Sequence, residues 1–321
     1  MILIGFDIGG TKCAVSLGEA ENGRARVLKR RALATPKRWQ DALESLFILA
    51  EELLEGRTPA ACGFSCGGPL DAKAGLVLSP PNLPGWDRVP LTRLARKRFG
   101  APCFLENDAN ACALAEWRWG AGRGSRNMAF LTFGTGLGAG LILEGRLIRG
   151  ANGNAGEAGH IRLSPFGPAG YGKEGSFEGF CSGGGIAQLG VTLGRRALQR
   201  GAAPAYYTGS WEDVTAKSVA EAAMAGDGTA REVFDLCGGK LGEGLAVLAD
   251  VLNPEVIVIG SIFARCEALL RPAMERAMAR ECLPAALSAL RVVPAALGEG
   301  IGDYAALCAA EYGLAEEKHT A

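Results

Sequence analysis

The sequence predicts an α/β fold, and three observations carry the prediction. Short apolar runs of strand length alternate with stretches of helical periodicity along the 321 residues. A strand, glycine turn, strand element occurs twice, around Gly9-Gly10-Thr11 and again around Gly134-Thr135-Gly136. Glycine is also abundant: the chain has 47, about twice the ordinary ~7% usage. These glycines cluster without a period, so they indicate tight turns and close approaches of backbone to ligand rather than a collagen repeat.

Ile2 to Phe6 is an apolar run ending at Asp7, and Cys13 to Leu17 is a second run beyond the glycine turn, which predicts a strand pair. Arg26 to Leu33 is a third candidate strand. From Trp39 to Leu54, apolar residues at Ala42, Leu43, Leu46, Leu49 and Leu53 have helical spacing. Ala60 to Ser65 reads as a strand stopped by Gly67-Gly68-Pro69. Cys103 to Leu105 is a short strand, and Ala109 to Trp117 a helix behind Asn107-Asp108. Asn127 to Phe133, the second glycine run and Leu141 to Leu143 repeat the opening element, which points to two lobes of like topology. Phe166 to Gly175 is too rich in Gly and Pro for regular structure and is expected to be a long loop. Helices follow at Lys217 to Ala225, Ala230 to Leu252, Ala268 to Arg280 and Asp303 to Tyr312. Strands are expected at Pro254 to Gly260 and Leu290 to Pro294.

Composition narrows the function. Lys+Arg and Asp+Glu number 34 each, so the chain lacks the concentrated excess of cations that nucleic-acid binding through bulk charge requires. No window approaches the ~18 uninterrupted apolar residues of a membrane span. The ten cysteines include no C-x-x-C pair, and Cys62, Cys103, Cys112, Cys237 and Cys308 lie in apolar runs as small buried hydrophobes. Met1 to Gly5 lacks the charged region and long apolar stretch of a signal peptide. A reduced, cytoplasmic protein is the expectation.

Several segments carry groups suited to chemistry. Asp7, Gly9, Gly10, Thr11 and Lys12 offer a carboxylate, backbone N–H groups, a hydroxyl and an ammonium within six residues. That set can hold phosphate oxygens and water on Mg²⁺, or form an ordinary polar hairpin tip. Neither glycine run is a Walker A loop or a dinucleotide fingerprint, since the second leads into a strand. Gly63-Phe64-Ser65-Cys66-Gly67 matches G-x-S-x-G, and Ser65, Asp108 and His160 fall in the order of a serine hydrolase triad. The elbow, however, needs a helix at once, which Gly67-Gly68-Pro69 opposes. Glu106-Asn107-Asp108 stands at a strand-to-helix junction, where Asn and Asp are preferred caps and where a general base can also project. Glu157 and His160 are three apart, and Glu178 follows. Such acceptor-rich sets suit sugar hydroxyls, whereas a metal site would need a second His or spaced Cys, His319 being the only other histidine.

Taken together these segments resemble the ROK family of sugar kinases and sugar-responsive repressors, over essentially the whole chain. The resemblance rests on DIGGTK at 7–12, Gly67-Gly68-Pro69 with Pro81-Asn82-Leu83-Pro84-Gly85-Trp86, and ENDAN at 106–110. It continues through GTGLGAG at 134–140, GEAGH at 156–160, NPEVIVIG at 253–260 and LGEGIGDYAA at 297–306. It implies an actin/hexokinase-like, ribonuclease H-like duplicated two-lobe fold with the active site in the cleft between lobes. Residues 1–120 would form the first lobe, completed by helix 303–321, and residues 121–302 the second. Asp7, Gly9, Gly10, Thr11, Lys12, Thr135, Gly136 and Gly260 would bind ATP, and Asp108 would be the general base. Asn107, Glu157, His160, Glu178 and Gly68 would bind the sugar. ATP and Mg²⁺ would be the cofactors, and a homodimer the assembly. Glucose phosphorylated on its 6-hydroxyl is the default acceptor, with N-acetylhexosamines, allose or fructose, or a non-catalytic sugar sensor, as alternatives.

One segment departs from the family pattern. Many members carry a structural zinc held by the histidine of the GH pair and three cysteines in C-x-C-G-x-x-G-C-x-E. Here Ala169, Tyr171 and Ser176 stand in the cysteine places, while Glu178 remains. Without thiolates no zinc is expected, and packing of Tyr171 and Phe177 is the expected substitute. Asp7 lies almost at the start, leaving no room for the helix-turn-helix domain of the family's repressors, so the expectation is a kinase.

Overall fold

The computed structural model describes residues 1–21 and 23–320, and the side chains of 319 and 320 fall outside that description, so His319 is not placed. The chain opens with β1 (Ile2–Ile8), β2 (Lys12–Glu21) and β3 (Arg24–Ala34), followed by α1 (Trp39–Leu54) and β4 (Ala61–Cys66). The two-residue strands β5 (Leu70–Asp71) and β6 (Leu76–Val77) precede α2 (Leu91–Phe99), β7 (Cys103–Asn107) and α3 (Asp108–Trp119). Next come β8 (Met128–Leu131), β9 (Ala139–Leu143) and β10 (Arg146–Ile148), then a small hairpin of β11 (Ala169–Gly170) and β12 (Lys173–Glu174). The helices α4 (Phe177–Phe180), α5 (Gly183–Gln199), α6 (Ala216–Met224) and α7 (Gly228–Leu252) lead to β13 (Val256–Ile259). The chain closes with α8 (Ile262–Glu281), α9 (Pro284–Ala289), β14 (Arg291–Pro294) and α10 (Ile301–Thr320).

The duplication is visible in the strand order. One five-stranded sheet runs β3-β2-β1-β4-β7 and the other β10-β9-β8-β13-β14. In each, an antiparallel hairpin is followed by parallel additions: β4 beside β1 and β7 beside β4, β13 beside β8 and β14 beside β13. The described chain divides into two compact units, Met1–Ser125 with Gly140–Ala155 and Ala296–Ala321, and Arg126–Ala139 with Gly156–Ala295.

In the first unit the central strand β1 is covered on both faces, which explains its almost unbroken apolar run. Ile4, Phe6 and Ile8 pack with Leu43, Leu46 and Phe47 of α1. Leu3 turns the other way, toward Leu307 and Ala310 of α10. On that second face Gly63 of β4 lets α10 lie directly on the sheet. A Cβ at Gly63 would stand 2.0 Å from the Ala306 carbonyl oxygen and 2.5 Å from the Ala310 nitrogen. Asp7 continues the Leu3, Gly5 face and so meets the first turn of α10, where Gly302 leaves space for its carboxylate.

In the second unit β8, β13 and β14 run parallel, β8 and β13 wholly apolar and buried and β14 partly buried at the edge, and α7 packs along α8 with α5 and α6 beside it. The segment 166–175, expected to be irregular, is a correction: β11 and β12 pair within it, Ala169 against Glu174 and Gly170 against Lys173. Among the described residues no helix is long and apolar enough to cross a membrane.

Candidate active site

In the first unit, the turn after β1 is closed by the Gly9 N–H donating to the Lys12 carbonyl at 3.1 Å. The Thr35 hydroxyl donates to the Gly9 carbonyl at 2.6 Å, and the Thr35 N–H to the Thr11 carbonyl at 3.1 Å. The side chains of Thr11 and Lys12 are left exposed. Asp7, at the base of this turn, is partly buried. Burial and then the nearby carboxylates of Asp303 and Asp108 push its carboxyl up to about 6, against the opposing pull of Arg30 and Lys12. Asp303 is itself held by the Ser16 hydroxyl at 2.6 Å and by Arg30 Nε at 2.8 and 2.9 Å.

At the strand-to-helix junction the capping role falls to Asn107, and Asp108 follows it as the first helical residue. Asn107 caps α3: its Oδ1 accepts from the Ala109 N–H at 3.0 Å and the Asn110 N–H at 3.3 Å. Asp108 is the first helical residue, its Oδ1 accepting from Ala109 at 2.8 Å. Solvent reaches the Asp108 side chain, yet protein surrounds it on most sides. The loss of hydration raises its carboxyl above the usual range, opposed by hydrogen bonds from Ala109, its own N–H and Asn107. Asp108 Oδ2 and the Asn82 amide both lie beside Gly67, at 3.8 and 3.4 Å from where a Cβ would stand, and Asn107 Nδ2 lies 3.6 Å from the same point at Gly68. Gly67, Gly68, Asn82, Asn107 and Asp108 thus form one polar group.

Behind them Glu106, a buried carboxylate, accepts from the Asn107 N–H, from Asn110 Nδ2 at 3.0 Å and from Arg149 Nε at 2.8 Å. Arg149 also pairs with Glu316 at 3.0 and 3.1 Å. This network fixes the end of β7 and therefore the start of α3.

In the second unit, Thr132 builds the glycine turn. Its hydroxyl accepts from the Gly138 N–H at 2.8 Å, and its N–H donates to the Gly138 carbonyl at 2.9 Å. Glu178 sits on this turn, accepting from the Leu137 N–H at 2.9 Å, with its Oε2 2.7 Å from the Cβ position of Gly136. The 156–160 turn packs there too. Gly156, at φ 94°, approaches Ala139, while Gly159 lies against the Leu137 carbonyl and Glu178 Cβ. Thr135, Gly136, Glu157, His160 and Glu178 are thereby gathered, with the Thr135, Glu157 and His160 side chains exposed. Gly260 follows β13 and donates to the Leu131 carbonyl at 3.0 Å. Gly134 stands beside Ser261 and accepts from the Gly183 N–H at 2.8 Å. The first turn of α5 therefore begins at the glycine turn, with Ser182 as its cap, an arrangement that suits a phosphate.

Ser65 does not stand in an elbow. It is 1% exposed within β4, which runs on through Cys66, and the strand β5 rather than a helix follows. The hydrolase alternative is set aside on that geometry. Thr132, Ser182 and Ser261 are site neighbours that sequence reasoning did not assign to the site.

The sequence model of the ROK family matches residues 3–310. The chain belongs to the ROK family. It is 32% identical to a glucokinase of Thermotoga maritima over 94% of both chains. The crystal structure of a ROK family glucokinase from Streptomyces griseus, in complex with glucose and AMPPNP, superposes with a TM-score of 0.78 at 32% identity, covering 98% of this chain and 100% of that one. A ROK hexokinase from Thermus thermophilus superposes with a TM-score of 0.79 at 30% identity over 98% and 100%. The fold of this ROK protein is the duplicated α/β fold of the actin/hexokinase-like class.

Proposed function

We propose that this ROK family sugar kinase transfers the γ-phosphoryl group of ATP to the 6-hydroxyl of glucose, with Asp108 as general base. The observation that carries the reading is the Asp108 carboxylate, reachable by solvent and high in proton affinity, at a helix start beside the Gly67-Gly68 turn and the amides of Asn82 and Asn107. A sugar hydroxyl seated there donates its proton to Asp108 Oδ2 as its oxygen bonds to the γ-phosphorus. The bond from that phosphorus to the β,γ-bridging oxygen breaks, and ADP leaves with the electron pair. A positioned base of this kind contributes roughly 10²–10⁴ in rate.

Asn107, Gly68, Glu157, His160 and Glu178 are assigned to the sugar, because carboxylate and amide groups bond each ring hydroxyl in a fixed direction. Asp7, Gly9, Gly10, Thr11, Lys12, Thr135, Gly136 and Gly260 are assigned to ATP. Among the described residues no group of three or more His, Cys, Asp or Glu could hold a metal ion by itself. Mg²⁺ keeps several waters and is bound by one or two carboxylates plus substrate phosphates. Asp7 would hold it, since a cation would offset both the burial and the repulsion from Asp303 and Asp108 that raise its carboxyl. When bound, Mg²⁺ neutralises charge on the phosphates. The ten cysteines are buried and free, which supports a reduced cytoplasmic setting. A homodimer follows from family resemblance.

The test is ADP release from ATP with Mg²⁺ across a panel of hexoses and N-acetylhexosamines, beside Asp108→Asn. Turnover with glucose, lost by roughly 10²–10⁴ in the variant while glucose still binds, is the expected result. ADP release with no sugar would overturn the kinase assignment, and full activity in Asp108→Asn would overturn the base.

A further inference from the structure

The hairpin β11–β12 touches both ends of the proposed sugar set. Gly170 lies so close to the start of α4 that a Cβ there would stand 2.6 Å from the Gly179 nitrogen and 2.8 Å from Glu178 Cγ. Any shift of the hairpin at this point therefore moves Glu178. At its tip, Tyr171 sets its ring edge against His160 with centroids 5.8 Å apart, and the Lys173 ammonium donates to the His160 carbonyl. The hairpin thus contacts both His160 and the segment that carries Glu178.

A two-by-two ladder of two-residue strands is too short to hold itself in water. No thiol stands at Ala169, Tyr171 or Ser176 to bind a metal, and Ser176 is committed elsewhere, capping α4 by accepting from the Gly179 N–H at 3.0 Å. The external support comes from α5. The Gln188 amide pairs with both backbone groups of Ala169: Oε1 accepts its N–H at 3.0 Å, and Nε2 donates to its carbonyl at 2.9 Å. Nε2 also donates to the Gly184 carbonyl at 3.3 Å, tying the amide to its own helix. At the base, the Leu163 and Ser164 N–H groups both donate to the Gly175 carbonyl.

We propose that Gln188 and Lys173 are positioning residues for sugar binding, the first clamping Ala169 to α5 and the second tethering the hairpin to His160. The proposal rests on the assignment of His160 and Glu178 to the sugar. Gln188 is exposed on α5, so its loss leaves the core intact and acts through the hairpin.

The test compares Gln188→Ala, Lys173→Ala and Lys173→Arg in steady-state kinetics with ATP and glucose, with thermal melting alongside. Loss of the two clamp hydrogen bonds is expected to raise the KM for sugar about three- to tenfold in Gln188→Ala, with the KM for ATP unchanged and the melting temperature close to the parent. Lys173→Ala is expected to act the same way, and Lys173→Arg, which keeps a donor, to restore the sugar KM to within about twofold. Addition of 1,10-phenanthroline, which takes zinc but not Mg²⁺, is expected to leave the sugar KM unchanged. An unchanged sugar KM in both alanine variants overturns the proposal, as does a loss of activity in phenanthroline that zinc restores. Equal rises in the KM for sugar and for ATP would also overturn it, by showing a merely structural role. His160→Ala and Glu178→Gln separate the two layers. If these leave sugar affinity intact, the underlying assignment fails; if they weaken it while Gln188→Ala does not, only the positioning claim fails.

Discussion

Replacing Asp7 with asparagine should stabilise the protein at pH 8 while removing its activity. The Asp7 carboxyl is pushed from its ordinary 3.8 up to about 6, chiefly by burial and by the facing carboxylates of Asp303 and Asp108. A difference of about two pH units corresponds to about 3 kcal/mol between protonation states. Because the folded value is raised, Asp7 favours folding fully only below about pH 4. That contribution, up to about 3 kcal/mol, is lost as pH rises through 6. Two effects reduce the figure. Asp7 lies at the first turn of α10, whose positive end favours an anion by about 0.3–1 kcal/mol, and it is partly open to solvent.

Asparagine has nearly the same shape and no charge to desolvate. The net expectation is a gain of about 1–3 kcal/mol at pH 8, shrinking toward zero by pH 4. Urea denaturation of both proteins at pH 4, 6 and 8 reads this directly as a shift in midpoint. A variant no more stable than the parent at pH 8, or a gain that does not shrink with acid, would refute the reasoning. Activity measured on the same samples checks the other half. A group whose charge destabilises the free protein yet is needed for turnover fits the role proposed for Asp7 in holding Mg²⁺.

Three further outcomes are expected. As the proposed base Asp108 must be ionised to accept a proton, and its carboxyl is raised by burial, so kcat/KM should fall as pH drops through a value above the usual carboxylate range, which a pH–rate profile from 4.5 to 8 reads. Ser65→Ala should retain parental kinase activity, because Ser65 is a buried strand residue; loss of turnover with folding intact would reinstate a chemical role for it. Gly63→Ala should lower stability by about 3 kcal/mol, because the Ala306 and Ala310 backbone of α10 fills the space a methyl needs; a melting temperature equal to the parent would contradict the packing described here.

What could be read from sequence was local. The helix Trp39–Leu54 was legible to the residue, because its apolar spacing is regular and its faces differ. The glycine turns and the 106–110 junction were legible because their chemistry lies within a few consecutive positions. The junction shows the limit of such reading: cap and base looked like rival descriptions of one segment, and only coordinates assign the cap to Asn107 and leave Asp108 its carboxylate. The helix α5 was missed because it opens on Gly183-Gly184-Gly185, each costing about 1 kcal/mol relative to Ala in a helix interior. Tertiary contacts overrule that propensity: Gly185 is pressed against the Gly179 carbonyl, where no side chain fits. The helix α2 was missed because Arg93, Arg96, Lys97 and Arg98 mask an apolar face of only nine residues.

The groups that tune the site were illegible for a different reason, namely distance along the chain. Asp303 reaches Ser16 across 287 positions, and Gln188 reaches Ala169 across 19. None carries a local signature: an exposed Gln on a helix and an Asp in a first turn are ordinary choices where they stand. Their effect appears only when two segments meet, and then it is large, because Asp303 helps raise the Asp7 carboxyl and Gln188 holds the strand that abuts Glu178. The residues proposed to do the chemistry and those proposed to tune it therefore leave different traces. Chemistry is written in short motifs because the reacting groups must share a turn. Tuning is written in pairs that substitution can relocate, which is how a hairpin without thiolates can keep His160 and Glu178 in one arrangement.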